Sequence, residues 1–411
     1  MKANKIVENI IFAGTFSFLI LISIDGLTTN YASRLFTVSI RYASIIVLIL
    51  ASILLHLKEQ PRRGWKNHFS ALILYLLLVA WGVALALANG VTEIGWNELF
   101  LSSLVVIFGA MLFVKKGKTI IPPKMAEYYV LYTFIGLFVT LWVDGFELSF
   151  PPRFVFDYLS DRENADILYS QGASKYFGVG AIAAIFITLN SKTKIKGYGA
   201  FVFAAIFISL SILGGARGDS VLAALVIIFF LLIRKAFHIF FWLLALSLVL
   251  YLSVNDWAWM DGILTFQRLS FARDGDFGQR DVLLTQVVEL LANQSRCLFF
   301  GCGFGYFQNV YGYDYGLYPH NILAEMLIIF GLPLTGFLIF TIGAGLRAYW
   351  QKTGLDLFIL LFFYNFLISL KSGSFFGGWF LTASCIYFLS IYLQRKTRGF
   401  DQHECRESIK S

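Results

Sequence analysis

Apolar runs of roughly 17 to 25 residues, each long enough to cross a hydrocarbon core of about 30 Å, recur along almost the whole chain. Inside lipid no water is at hand to satisfy the backbone, so each run must close its own hydrogen bonds as a helix. The pattern predicts about twelve such helices, over residues 7–25, 36–57, 69–88, 98–114, 127–144, 173–190, 198–214, 219–233, 237–254, 320–346, 355–370 and 375–394. The fold class that follows is an all-α polytopic membrane protein, a single transmembrane domain over residues 1–411. Composition agrees, since only 14% of the residues are charged against about 25% in soluble domains. The first run follows Lys2 and Lys5 as a signal peptide would, but no A-x-A-like cleavage site comes after it, so it reads as a signal anchor.

Orientation follows from lysine and arginine, because cationic loops are held on the cytoplasmic side. With both termini cytoplasmic, "KEQPRRGWK", "KKGKTIIPPK", "SKTKIK", Arg234 and Lys235, Arg347, Lys352 and the two ends gather 22 of the 33 basic residues on one side. The other side holds Arg34, Arg41, Arg153, Arg162, Lys175, Arg217, Arg268, Arg273, Arg280, Arg296 and Lys371. The two sets differ in kind: the cytoplasmic one is mostly lysine and the outer one mostly arginine, the planar bidentate binder of phosphate and carboxylate. An anionic ligand on the outer side is the expectation, with some of these arginines pairing to Asp157, Asp161, Glu163, Asp274 or Asp276. The net charge of +8 is thus mostly topology and does not indicate nucleic acid.

Two outer loops are long, residues 145–172 and 255–319, and loops of such length in a compact domain usually carry function. In the second, "DFGQRDVLLTQVVELLANQ" spaces Val282, Leu283, Val287, Leu290 and Leu291 for an amphipathic helix lying on the outer face of the membrane. Arg280 falls in its first turn, where the helix dipole disfavours a cation. Either Asp276 and Asp281 neutralise it, or it joins the exposed N–H groups in holding an anion. Cys297 and Cys302, in "CLFFGC", fall on the same side, where a disulfide is allowed; the sequence favours two small apolar residues beside glycines.

Of five histidines, His56, His68, His238 and His403 fall on the cytoplasmic side and only His320 faces outward, which leaves no multi-histidine metal site there. Pro319 fixes an extended approach and His320 is expected to open the next helix, with its imidazole by the positive helix end and neutral. A neutral imidazole can take a proton from a hydroxyl. The alternatives are a hydrogen-bonding role or a helix-end residue without chemistry.

"HNILAEMLIIFG" (320–331) has the form His-Asn, nine residues, Gly, and resembles the motif of the O-antigen ligase and Wzy-type O-antigen polymerase superfamily. "SILGGARGDSVLAALVIIFFLLIRK" resembles that family's short outer turn with an arginine, and "GQRDVLLTQVVELLANQSRCLFFGCGFGYF" its large-loop arginine helix ending in Gly-x-Gly. The likeness covers roughly residues 200–350. It departs from the ligase pattern at Leu334, where Gly, Thr or Tyr is expected, and no outer loop holds the Arg-x10-Gly of some polymerases. The resemblance implies a glycosyltransferase-C-like helical fold with a large periplasmic loop, in the bacterial inner membrane. It implies transfer of a glycan from undecaprenyl pyrophosphate to a sugar hydroxyl, without metal or other cofactor. Carried over by motif, His320 is the base or orienting group, and Arg217 and Arg280 bind the donor pyrophosphate. Asn321, Glu325 and Asp281 are the candidate neighbours of these groups. Undecaprenyl-pyrophosphate-linked oligosaccharide and membrane lipid are the implied partners, with room for a chain-length regulator protein.

Each residue also has a plainer role. Arg217, in "GGARGDS", could be a topology charge paired with Asp219, although an arginine near hydrocarbon is costly without a partner. "DGD" at 274–276 fits a turn and helix cap better than a metal-binding Asp-x-Asp. "GCGFG" follows no strand, so it is no dinucleotide fingerprint. Glu325 is an intramembrane carboxylate, functional by default, or a hydrogen-bonded helix contact. Arg41 can snorkel to the interface, and the aromatics of "FGYFQNVYGYDYGLY" suit an interfacial belt or a sugar-stacking surface. The expected function is a polymerase of lipid-linked repeat units. A ligase to lipid A core is the close alternative, and a lipid-glycan flippase or transporter the alternative of another class.

Overall fold

The computed structural model describes residues 2–23, 31–58, 64–113, 120–143, 171–213, 217–239, 241–242, 279–313, 318–375 and 377–408. Among them every regular element is a helix. Eight helices come first: α1 (Lys2–Ser23), α2 (Tyr31–Lys58), α3 (Gly64–Ala88), α4 (Trp96–Leu112), α5 (Pro123–Val143), α6 (Gln171–Asn190), α7 (Lys194–Leu213) and α8 (Arg217–Ile233). Three shorter ones, α9 (Gln279–Asn293), α10 (Ser295–Phe300) and α11 (Tyr306–Tyr311), precede α12 (Ile322–Thr353), α13 (Leu357–Ser372) and α14 (Trp379–Ser408). Val38–Leu57, Lys66–Ala88, Gly172–Asn190, Lys194–Leu213 and Ile322–Thr353 are long and apolar enough to cross a membrane, and four shorter apolar helices accompany them. The chain is in this sense a multi-pass helical membrane protein. The outer loop at 145–172 lies outside the described residues up to 170, as does nearly all of the span expected at 237–254.

Helix α6 is the hub of the bundle. Its apolar window is 78% buried, against 28% to 44% for the other long helices, and it packs on α5, α7, α8 and α13. Small residues permit this close approach: Gly136 of α5 faces the Tyr176 hydroxyl, and Gly178 faces that of Tyr364. The Tyr176 hydroxyl donates to the Tyr132 carbonyl at 2.7 Å, which satisfies a polar tip in a dry interior. Helix α14 packs on α3, α4 and α12, across an aromatic cluster in which Phe113, Phe358, Phe380 and Phe388 meet mostly edge to face.

Helix α12 is two helices joined at a kink. Gly331 takes φ 75° and ψ 168° inside it, a backbone region open to glycine. Pro333 adds the second cause, since it has no N–H to donate to Ile329. The run expected to be one span over 320–346 is therefore a short segment before Gly331 and a longer one after it. At 1.5 Å per residue the part from Leu332 to Thr353 covers about 33 Å and can cross a bilayer alone.

The amphipathic stripe of α9 is used on protein. Leu283, Val287 and Leu290 are buried against Phe307 of α11 and against Ala324 and Ile328 of the first part of α12, with Leu291 half-buried beside them. Val282, expected on the same stripe, is 56% exposed.

Candidate functional site

The segment around His320 is built differently from expectation. Helix α12 starts at Ile322, and its N-cap is Asn321, whose Oδ1 accepts from the N–H groups of Leu323 (3.0 Å) and Ala324 (3.1 Å). The short amide side chain reaches those otherwise orphaned donors, which an imidazole on the preceding residue does not. His320 therefore does not open the helix. It stands one residue before the cap with φ 52°, a left-handed conformation uncommon outside glycine, though histidine is among the residues enriched there. Its ring lies 4.3 Å from that of Tyr318, centroid to centroid. The Tyr318 hydroxyl donates to the Ser372 carbonyl at 3.0 Å and so ties this turn to the end of α13.

The break at Gly331 also has partners waiting for it. The Ile328 and Ile329 carbonyls, left without helical donors, accept from the N–H groups of Cys302 (2.7 Å) and Gly303 (3.3 Å). Phe304 N–H then donates to the Gly82 carbonyl (3.2 Å), and the Asn89 amide to the Cys302 carbonyl (3.1 Å). "GCGFG" is thus a strap that joins the end of α3 to the broken helix. Cys297 and Cys302 are joined in a disulfide, with Cα atoms 4.9 Å apart, against the expectation of two unpaired small residues. Helix α10 stops at Phe300, and the turn at Gly301 brings the second sulfur back over the first.

A cavity of about 570 Å³ opens where these elements meet. It collects one end of the bundle: the end of α1, the starts of α4, α6, α8 and α14, the first part of α12, and the α13–α14 turn with its Ser372, Gly373, Ser374, Gly377 and Gly378. This is the end remote from the basic loops. Arg41, Lys175, Glu98, Asp219 and Glu325 line it. Asp219 is 3% exposed and receives the Lys371 ammonium at 2.6 Å, and it shares the cavity wall with Lys175. The Glu325 carboxylate accepts from the Phe375 N–H at 2.7 Å, so it holds the α13–α14 turn while facing the cavity. Trp379, at the start of α14, donates from its indole to the Ser102 hydroxyl at 3.0 Å.

Of the sequence-derived candidates, Glu325 lines this cavity. His320 stands one ring away, behind Tyr318. Asn321 has a capping role. Arg217 is the first residue of α8, two before Asp219, and Arg280 is the second residue of α9, three before the docked Leu283. The side chains of both arginines lie outside the described residues, as do Arg268, Arg273 and the "DGD" run. Asp281 is exposed. Sequence reasoning gave Lys175 and Lys371 only a topological role. The signal was present, namely ionisable groups just inside the ends of apolar runs, where they are costly unless used. Among the described residues no three His, Cys, Asp or Glu are grouped to hold a metal ion. No family model, no curated protein and no solved structure matches this chain.

Proposed function

We propose that this chain is a Wzy-type O-antigen polymerase, a glycosyltransferase-C-like protein of about twelve spans in the bacterial inner membrane, with both termini cytoplasmic and the cavity facing the periplasm. The observation that carries it is the cavity itself: a space of about 570 Å³ bordered by charged groups and by Tyr318, whose ring packs on that of His320. Pockets of a few hundred Å³ suit one bound ligand of moderate size. Four helices that start at its wall, α4, α6, α8 and α14, add positive potential there.

In this function a hydroxyl of the acceptor sugar attacks the anomeric carbon of the donor glycan. The new C–O bond forms as the bond to the lipid diphosphate breaks, the hydroxyl proton passes to His320, and the electron pair leaves on the diphosphate oxygen. The leaving group gathers negative charge, which guanidinium groups stabilise in the transition state. The formal charges of Arg41, Lys175 and Lys371 are matched by Glu98, Asp219 and Glu325. Arg217 and Arg280 would tip this balance towards the anion.

The test is to incubate the purified protein with one defined undecaprenyl-pyrophosphate-linked repeat unit and separate the products on a gel. A ladder of lengthened chains is expected, and His320→Ala should stop it with normal membrane insertion. Transfer only to lipid A core would make the protein a ligase, and movement of the lipid between leaflets without elongation would make it a flippase.

A further inference from the structure

Glu325 carries a charge that its structural role does not need. Its Oε2 accepts from the Phe375 N–H at 2.7 Å and so holds the α13–α14 turn. A neutral group can do the same, as the Ser374 hydroxyl does for the Gly377 N–H at 2.9 Å in that turn. A carboxylate inside an apolar helix is costly unless it is used. Among the described residues its Oε1 has no partner, and the half-buried side chain lines the cavity. One oxygen is thus fixed by the backbone and the other is left to whatever fills the space. Asn365, 6% exposed, repeats the pattern: its Nδ2 donates to the Leu361 carbonyl at 2.8 Å, which leaves Oδ1 as an acceptor on the same wall. The half-buried Gln308 of α11 adds an amide with no partner among the described residues. Trp379 stands four residues after Phe375. Its indole N–H is tied to the Ser102 hydroxyl at 3.0 Å and among the described residues no other ring packs on it, so the ring lines the cavity held by its polar edge. This wall therefore sets an aromatic surface beside hydrogen-bond acceptors. A pyranose has the complementary chemistry, an apolar C–H face and a rim of hydroxyl donors.

We infer that Glu325 and Trp379 hold the acceptor sugar, with its ring stacked on Trp379 and one of its hydroxyls donating to Glu325 Oε1. This rests on the proposed function and adds to it the residues that place the acceptor. The position in the fold assigns the acceptor and not the donor. Glu325 shares the short first part of α12 with the turn that bears His320, and Tyr318, whose ring packs on that of His320, lines the same cavity. An ionised carboxylate is an acceptor only and repels a diphosphate, so Glu325 suits the hydroxyl-bearing end of the reaction and not its leaving group. Asn365 and Gln308 complete the contacts to the sugar rim.

The probe is the oligosaccharide cut by mild acid from the cell's own lipid-linked repeat unit. Its binding to the full chain in detergent is measured by calorimetry, beside that of inorganic pyrophosphate. Glu325→Gln keeps a carbonyl for the Phe375 N–H and should melt near the wild-type temperature. It should weaken the oligosaccharide about tenfold through loss of a charge-assisted bond, while pyrophosphate binds no less tightly than to wild type. Trp379→Leu should weaken the oligosaccharide by a similar factor and Trp379→Phe by less, because phenylalanine retains a ring to stack on. Equal losses in these two variants would mean that the tryptophan serves only through its bond to Ser102, and would overturn the inference. Wild-type affinity in Glu325→Gln overturns it as well, as does a wild-type protein that does not bind the oligosaccharide; elongation of the lipid-linked unit by the wild type would still leave the polymerase proposal standing. Binding that depends on both residues, in a protein that never elongates the lipid-linked unit, removes the polymerase and supports the sugar site alone.

Discussion

Asn321 and Gly331 define the two ends of a short helix whose first turn faces the cavity, and each does so through a local property of its residue type. Replacing Asn321 by Ala removes the acceptor for two N–H groups and should cost about 1 kcal/mol of stability, read as a lower melting temperature in detergent, with Asn321→Asp close to wild type. Gly331→Ala should cost more, about 2 kcal/mol or above, because φ 75° strains any L side chain and the added Cβ would sit 2.5 Å from the Phe299 carbonyl oxygen. A variant as stable as wild type would mean that the kink is dispensable. The spacing His-Asn, nine residues, Gly was visible in the sequence; its physical reason was not. That reason is the pair of carbonyls released at Gly331 and Pro333 and taken up by Cys302 and Gly303, residues about thirty positions earlier. His320 was misplaced by one position for a related cause: two polar residues after Pro319 compete for the cap, and the amide wins by reach.

At the scale of elements, the apolar runs match the helices among the described residues, and the differences fall at helix ends and at the Gly331 break inside α12. Lys194, Lys196 and Lys124 lie inside α7 and α5, although the expected spans began after them, because lysine is a good helix former and can extend its ammonium to the interface. Helix α9 was legible as amphipathic, but nothing in its own sequence says whether membrane or protein takes the stripe. Its docking on Ala324 and Ile328 makes it a lever on the His320 turn. Leu283→Asp should undock it, and chain elongation should fall together with a new sensitivity of α9 to protease; intact activity with a protease-sensitive α9 would detach this helix from function. The Cys297–Cys302 bond was allowed by the sequence but not favoured, because it depends on the turn at Gly301. For so short a loop its loss in Cys297→Ser, Cys302→Ser should cost about 2 kcal/mol, and reductant should lower the melting temperature of the wild type but not of the variant.

For the whole molecule, what could not be seen in the sequence is that nine helices contribute to a single cavity, since its lining runs from Phe18 to Phe380. The charges that line it were each visible as exceptions inside apolar runs, yet only the packing around α6 brings Lys175 and Asp219 to one cavity wall, with Lys371 on Asp219. The cavity end is opposite the basic loops, and this gives the topology a sharp test. Gly90 and Glu93 lie in the α3–α4 connection, beside the strap that reaches the cavity through Phe304 and Gly305. Ser191 lies at the other end of the bundle, in the α6–α7 connection among Lys192, Lys194 and Lys196. With Cys385 and Cys405 replaced by Ser, a membrane-impermeant maleimide added to intact spheroplasts should label Gly90→Cys and Glu93→Cys. It should reach Ser191→Cys only after the membrane is opened. Positive charge is retained on the cytoplasmic side during insertion, so the lysine-rich α6–α7 connection should stay protected. The reverse pattern would turn the cavity towards the cytoplasm. It would also place the Cys297–Cys302 bond in a compartment that keeps thiols reduced, and the periplasmic polymerase would have to be abandoned whatever the cavity binds.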